Sequence, residues 1–249
     1  MKYILAFIFV VAIALGGAFL YFYSQVRFDA YTIIDYKPKL ATQIFDRNNE
    51  LIANIFEENR IYVKYNDIPP RVIEALVAIE DTSYFEHGGI NVEAMARAAI
   101  KDIKARKLVE GASTLTQQLI KNLALSREKK FTRKIKEVVL AMKLESELSK
   151  EDIIERYLNH VYFGHGYYGI KTAAEGYFRK ELNELSIKEI AMLVGMPKAP
   201  STYDPTKHLD LSLSRANRVL ERMYSIGWIN EDEYRKGVLE EPAVFDDTL

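Results

Sequence analysis

From Tyr3 to Tyr23 the chain runs for 21 residues without a charged side chain, and most of them are apolar. As a helix this stretch would be about 31 Å long, which matches the hydrocarbon core of a bilayer. Tyr21, Phe22 and Tyr23 fall where an interfacial aromatic belt is expected. The apolar region of a cleaved signal peptide is shorter, about 7–15 residues, so an uncleaved anchor is the better reading. Lys2 and the α-amino group lie on one side, and Arg27 followed by Asp29 on the other. That bias weakly favours an N-terminus inside and the bulk of the chain outside. The competing reading is a buried helix in a soluble core, where a run of this length without charge is rare.

The 249 residues leave room for one large domain behind such an anchor. With 49% hydrophobic and 28% charged residues, that remainder can bury a core and is not a disordered tail. Lys and Arg number 34 against 35 Asp and Glu, a net charge of −1 that argues against a nucleic-acid partner. The absence of cysteine excludes a disulfide scaffold, a Cys-ligated zinc site and a cysteine nucleophile. Residues 1–2 are expected on the cytoplasmic side, 3–23 as the anchor, 24–40 as a linker and 41–245 as the domain.

Residues 41–63 read as strands. Thr42, Ile44 and Phe45 lead into a polar turn, Asp46–Glu50, followed by Leu51 to Phe56 and then Ile61-Tyr62-Val63. Pro69-Pro70 then opens a helix, proline being tolerated in a first turn. Apolar periodicity near 3.6 residues, punctuated by Gly, Asn and Pro, predicts helices near 70–81, 91–107, 114–125, 131–147, 150–159, 168–177, 186–195, 211–226 and 230–239. The expectation is a mainly α domain with a small β element at its start and an N-terminal transmembrane helix.

Three local features suggest chemistry. On a wheel of about 100° per residue, Glu80 falls within roughly 60° of Leu76 and shares the stripe of Val72, Ile73 and Ile79. A carboxylate on an apolar face costs several kcal/mol unless paired or neutralised. Desolvation favours the neutral form of a carboxyl, a property suited to a general acid or base near neutral pH. A helix-end glutamate escaping to solvent is the equal alternative.

The second feature is a basic segment from Lys121 to Lys136, with seven basic residues (Lys121, Arg127, Lys129, Lys130, Arg133, Lys134, Lys136) against one acid, Glu128. Such a cluster suits phosphate, pyrophosphate or an anionic membrane surface. An ordinary solvated face with an Arg133–Glu137 pair is the better explanation from the residues alone. Third, Gly111-Ala112-Ser113-Thr114-Leu115-Thr116-Gln117-Gln118 reads as a turn entering a helix, with Thr114 and Gln117 at capping-box spacing. Capping accounts for the Ser and Thr but not for consecutive glutamines, which are good partners for sugar or phosphate oxygens.

In order along the chain these segments resemble one family. Glu80-Asp81-Thr82-Ser83-Tyr84-Phe85-Glu86-His87-Gly88-Gly89 is similar to E-D-x-x-F-x-x-H-x-G, with Tyr84 standing where Phe is usual. Gly111 to Gln118 resembles G-x-S-T-x-x-Q-Q, and Arg133, Lys134 and Glu137 resemble R-K-x-x-E. Lys150, Ile153 or Ile154, Tyr157, Leu158 and Asn159 resemble K-x-x-I-x-x-x-Y-L-N, and Arg215, Val219 and Leu220 resemble R-x-x-x-V-L. Five motifs in this order are those of the family 51 peptidoglycan glycosyltransferases, the polymerase domains of class A penicillin-binding proteins and of monofunctional enzymes.

The resemblance implies a lysozyme-like, two-lobed helical fold in the bacterial cytoplasmic membrane, with its catalytic domain on the extracytoplasmic face. It implies polymerisation of lipid II into β-1,4-linked glycan by inverting transfer, with release of undecaprenyl pyrophosphate. Glu80 would be the general base on the acceptor's 4-hydroxyl, and Glu137 a second carboxylate near the donor. Arg133, Lys134 and Lys121 would hold the pyrophosphate, while Ser113, Gln117, Gln118 and Asn159 would position sugar and phosphate oxygens. The implied partners are lipid II, the growing lipid-linked strand, the membrane, and cell-division or elongation proteins. No cofactor is required, although Mg²⁺ or another divalent cation often assists near the pyrophosphate. The residues do not show such a site: there is no D-x-D, and His87, His160, His165 and His208 lack metal-site spacing. Leu108-Val109 is a guess for a loop that dips into the bilayer.

Three rivals remain to be weighed. A lysozyme-like lytic transglycosylase or hydrolase would share the fold and a catalytic glutamate but would need no basic strip. A non-enzymatic scaffold for cell-wall precursors would not need five intact motifs. A transpeptidase fails, because Ser126-Arg127-Glu128-Lys129 has no S-x-N or K-T-G after it, and Lys171-Thr172-Ala173 lacks the glycine. The length leaves no room for a second catalytic domain, so the sequence fits either a piece of a bifunctional parent or a complete monofunctional enzyme.

Overall fold

The computed structural model describes residues 3, 6–7, 9–14, 16–17, 19–21, 33–34, 42–48, 50–55, 59–105, 111–124 and 130–246. Two compact units divide the chain: Met1–Tyr36 with His87–Ser149 (unit one), and Lys37–Glu86 with Lys150–Leu249 (unit two). Within the expected anchor, the described positions are helical and exposed, among them Tyr3, Phe7, Phe9, Leu20 and Tyr21. No helix among the described residues is long and apolar enough to cross a membrane. Apart from residues 33–34 the linker at 24–40 lies outside the described residues, as does Leu108-Val109.

Unit two begins with an antiparallel hairpin, β1 (Thr42–Phe45) and β2 (Leu51–Ile55), in the register Thr42↔Ile55, Gln43↔Asn54, Ile44↔Ala53 and Phe45↔Leu51. The register shifts between Ile44 and Phe45, a bulge that lets two residues oppose one. Asp46 makes the turn, its Oδ1 accepting the backbone N–H groups of Asn48 and Glu50, each at 2.8 Å. The strand expected at Ile61–Val63 is not one, because side chains take the place of a partner strand. Thr172 Oγ1 accepts the Ile61 N–H at 2.8 Å, and Asn159 Oδ1 accepts the Val63 N–H at 2.9 Å.

The helices of unit two are α1 (Pro70–Glu80), then α5 (Lys150–His160), α6 (Ile170–Phe178), α7 (Ile187–Gly195), α8 (Leu209–Ser225) and α9 (Glu231–Leu239). Unit one holds α2 (Val92–Ala105), α3 (Leu115–Ala124) and α4 (Lys130–Glu147). All nine expected helices are present among the described residues. Helix α7 is the centre of unit two: its sequence IKEIAMLVG is almost continuously apolar, so it is buried all round and packs against α1, α8, α9 and α6. Ser186 caps it, its hydroxyl accepting the Glu189 N–H at 3.1 Å while the Glu189 carboxylate accepts the Ser186 N–H at 2.7 Å. With α7 and α8 both against it, α1 buries Val72, Ala75, Leu76, Val77 and Ala78, a wider face than the single expected stripe. In unit one α3 packs on α4.

Candidate active site

Glu80 is the last residue of α1, and its side chain is 13% exposed. A carboxylate here meets the negative end of its own helix, an unfavourable place for it. Helix α8 offsets this with cations. Arg215 Nη2 lies 3.5 Å from Glu80 Oε1, and its side chain is 8% exposed. Seven residues on, and so on the same face of α8, Arg222 Nη2 donates to Thr82 Oγ1 at 2.8 Å. Tyr157 of α5 also senses Glu80: burial pushes its phenol well above the usual range, and the Glu80 charge pushes it further.

The departure at Tyr84 has a use. The ring is fully buried, the hydroxyl donates to the Lys150 carbonyl at 3.0 Å, and the Lys150 ammonium sits 4.3 Å from the ring centroid. Phenylalanine would keep the packing and lose the bond. Tyr84→Phe is expected to cost about 0.5–1.5 kcal/mol, read as a small fall in Tm. An unchanged or raised Tm would show that the hydroxyl is idle.

Unit one carries the second carboxylate. Glu137 on α4 is only 4% exposed. Lys134 Nζ donates to its Oε2 at 2.9 Å, and Arg133 Nε lies 3.3 Å from its Oε1 without the alignment of a hydrogen bond. Lys134 Nζ also donates to Ser113 Oγ at 2.9 Å. Ser113, Arg133, Lys134 and Glu137 thus form one cluster, with Lys134 its exposed cation. Lys121 is exposed on α3 and Gln118 half-buried, while Arg127 and Lys129 lie outside the described residues.

Gln117 and Asn159 both make hydrogen bonds within the protein, although Gln117 Nε2 is buried without a hydrogen-bond partner among the described residues. Gln117 is 1% exposed, and its Oε1 accepts the Thr114 N–H at 3.0 Å. Thr114 Oγ1 accepts the Gln117 N–H at 3.2 Å in return, so these two residues form the capping box their spacing predicts. Asn159 is also 1% exposed. Its Oδ1 takes the Val63 N–H, and its Nδ2 donates to the Val63 and Glu155 carbonyls at 2.7 and 2.8 Å. Asn159 thereby pins the extended segment before α1. What the sequence reading missed is Arg215 as a partner of Glu80; the only signal was its membership of the fifth motif.

Comparison with known proteins now decides the family. A model of the Transglycosylase family matches residues 48–224, well over half of the chain. The chain belongs to the transglycosylase family. This bears out the resemblance to the glycosyltransferase domain of class A penicillin-binding proteins. Penicillin-binding protein 1F of Bacillus subtilis is 43% identical over 214 residues, covering 85% of this chain and 30% of that protein. Penicillin-binding protein 1A of Escherichia coli is 39% identical over 218 residues, covering 88% of this chain and 26% of that one. The crystal structure of penicillin-binding protein 1A from Haemophilus influenzae superposes with a TM-score of 0.50 at 27% identity, over 84% of this chain and 22% of that one. The transglycosylase chain thus spans less than a third of the length of these relatives.

Glu137 already meets Lys134 and Arg133, and among the described residues no group of three His, Cys, Asp or Glu side chains could hold a metal ion.

Proposed function

We propose that this transglycosylase polymerises lipid II, extending a lipid-linked glycan by inverting transfer and releasing undecaprenyl pyrophosphate. The observation that carries the reading is the shielded, arginine-paired carboxylate of Glu80 at the end of α1. A pyrophosphate is already a good leaving group, so the protein must supply a base, alignment and positive charge. Glu80 takes the proton from the acceptor's 4-hydroxyl as that oxygen attacks C1 of the donor, and the bond to pyrophosphate breaks with inversion from α to β. Lys134 and Arg133 neutralise the departing charge, and Glu137 with Ser113 fixes the direction of Lys134. A hydrolase of glycan strands would have no comparable need for these cations. The exposed apolar positions within 3–21 support an anchor in the cytoplasmic membrane, with the domain on its outer face beside the lipid substrate. Division or elongation proteins are its proposed partners there.

Incubating the chain with labelled lipid II tests the reading. Lengthening strands support it; binding without turnover, or shortening of preformed glycan, overturns it. Lys134→Ala gives a finer check. The side chain is 47% exposed, but its partner Glu137 is only 5% exposed and keeps Arg133 nearby, so its loss should cost about 1–2 kcal/mol of stability. Turnover should fall about 10- to 100-fold, because the charge it meets grows in the transition state. Full activity would return Lys134 to an ordinary surface ion pair.

A further inference from the structure

We propose that Arg215 is a positioning residue that aims the Glu80 carboxylate, with Gly195 as the notch that seats it. The inference rests on the reading of Glu80 as the base. Two helices end at this point, α7 at Gly195 and α1 at Glu80, and each presents the negative end of its dipole. A carboxylate added to that end is driven toward solvent unless a fixed cation holds it. Arg215 is such a cation. Its Nε donates to the Gly195 carbonyl at 3.2 Å, its Nη2 lies 3.5 Å from Glu80 Oε1, and its guanidinium carbon lies 5.9 Å from the centroid of Tyr203.

The planar fork explains why arginine stands here: Nε binds the end of α7 while Nη2 faces the carboxylate. The stem is seated as firmly as the head. A Cβ on Gly195 would fall 2.9 Å from Arg215 Cγ and 3.7 Å from Val219 Cγ2. Cγ is the near end of the side chain, so a methyl group at 195 would displace the whole arginine. Arg215 acts through Glu80 and not on the substrate, so its loss should show in kcat and leave KM nearly unchanged.

The test compares Arg215→Met, Arg215→Lys, Gly195→Ala and Glu80→Gln in the full chain, measuring kcat and KM for lipid II together with Tm. Methionine keeps an unbranched stem over Gly195 and removes the charge; lysine keeps a charge and loses the fork. We expect Arg215→Met to lose about 10- to 100-fold in kcat with KM within about twofold, and Arg215→Lys to recover part of the loss. If Arg215→Met does not fold, Gly195→Ala decides, with kcat expected to fall about fivefold or more at unchanged KM. Parent-like kcat in a folded Arg215→Met, or failing that in Gly195→Ala, overturns the proposal while an inactive Glu80→Gln leaves the base reading intact. An active Glu80→Gln overturns the base reading, and this inference with it.

Discussion

Replacing Glu80 by glutamine is expected to lower glycan elongation about a thousandfold while lipid II binding stays within about twofold. Glutamine keeps the shape of the side chain and can still accept a hydrogen bond, so packing at the end of α1 survives. What is lost is a group able to take a proton as the new glycosidic bond forms, a contribution that falls in kcat. The stability change has two opposing parts. Arg215, only 8% exposed, loses its counter-charge. The end of α1 loses an unfavourable negative charge. The net cost should be about 1–2 kcal/mol, visible in Tm but too small to unfold the chain. Single-turnover kinetics with labelled lipid II, run beside a binding measurement, separates the two effects. Synthesis by the variant within about tenfold of the parent would remove Glu80 from the mechanism.

The helical part of the fold was legible because its signals are local. Pro70 starts α1 at a position where a missing N–H costs nothing, and the apolar run of α7 leaves no polar face to turn outward. The Thr114–Gln117 cap could be read from spacing alone. The failures are non-local. Ile61–Val63 has the alternation of a strand, but its hydrogen bonds go to Thr172 and Asn159, side chains that no pattern within the segment announces. Asn159 stands in a catalytic-looking motif, yet its amide is satisfied by Val63, 96 residues away in sequence. Arg215 stood in the fifth motif with no role of its own until α1 and α8 came together. A sequence shows which side chains carry charge, but the partner that gives a charge its role is chosen by packing.

Gly89→Ala is expected to destabilise the chain by about 3–5 kcal/mol, whereas Gly88→Ala, one residue earlier, should change stability by no more than about 0.5 kcal/mol. The two neighbouring glycines are physically opposite. Gly89 has φ +93°, a conformation L side chains rarely adopt, and a Cβ there would lie 2.5 Å from the carbonyl oxygen of Ala141. That oxygen belongs to the backbone of α4 and cannot swing aside as a side chain could. The Gly89 carbonyl meanwhile accepts the Thr114 hydroxyl at 2.7 Å, and Thr114 is the residue that caps α3. Moving Gly89 to relieve the clash would pull on the cap beside Ser113, and so on the seat of Lys134. A methyl group on Gly88 would meet nothing within 4 Å, and the φ of that residue lies outside the region reserved for glycine. Thermal unfolding of the two variants side by side gives the answer: a fall in Tm of about 10 °C for Gly89→Ala and almost none for Gly88→Ala. Equal Tm values would mean that the loop can relax away from α4, and that the last glycine of the first motif is there for some reason other than the close approach of two backbones.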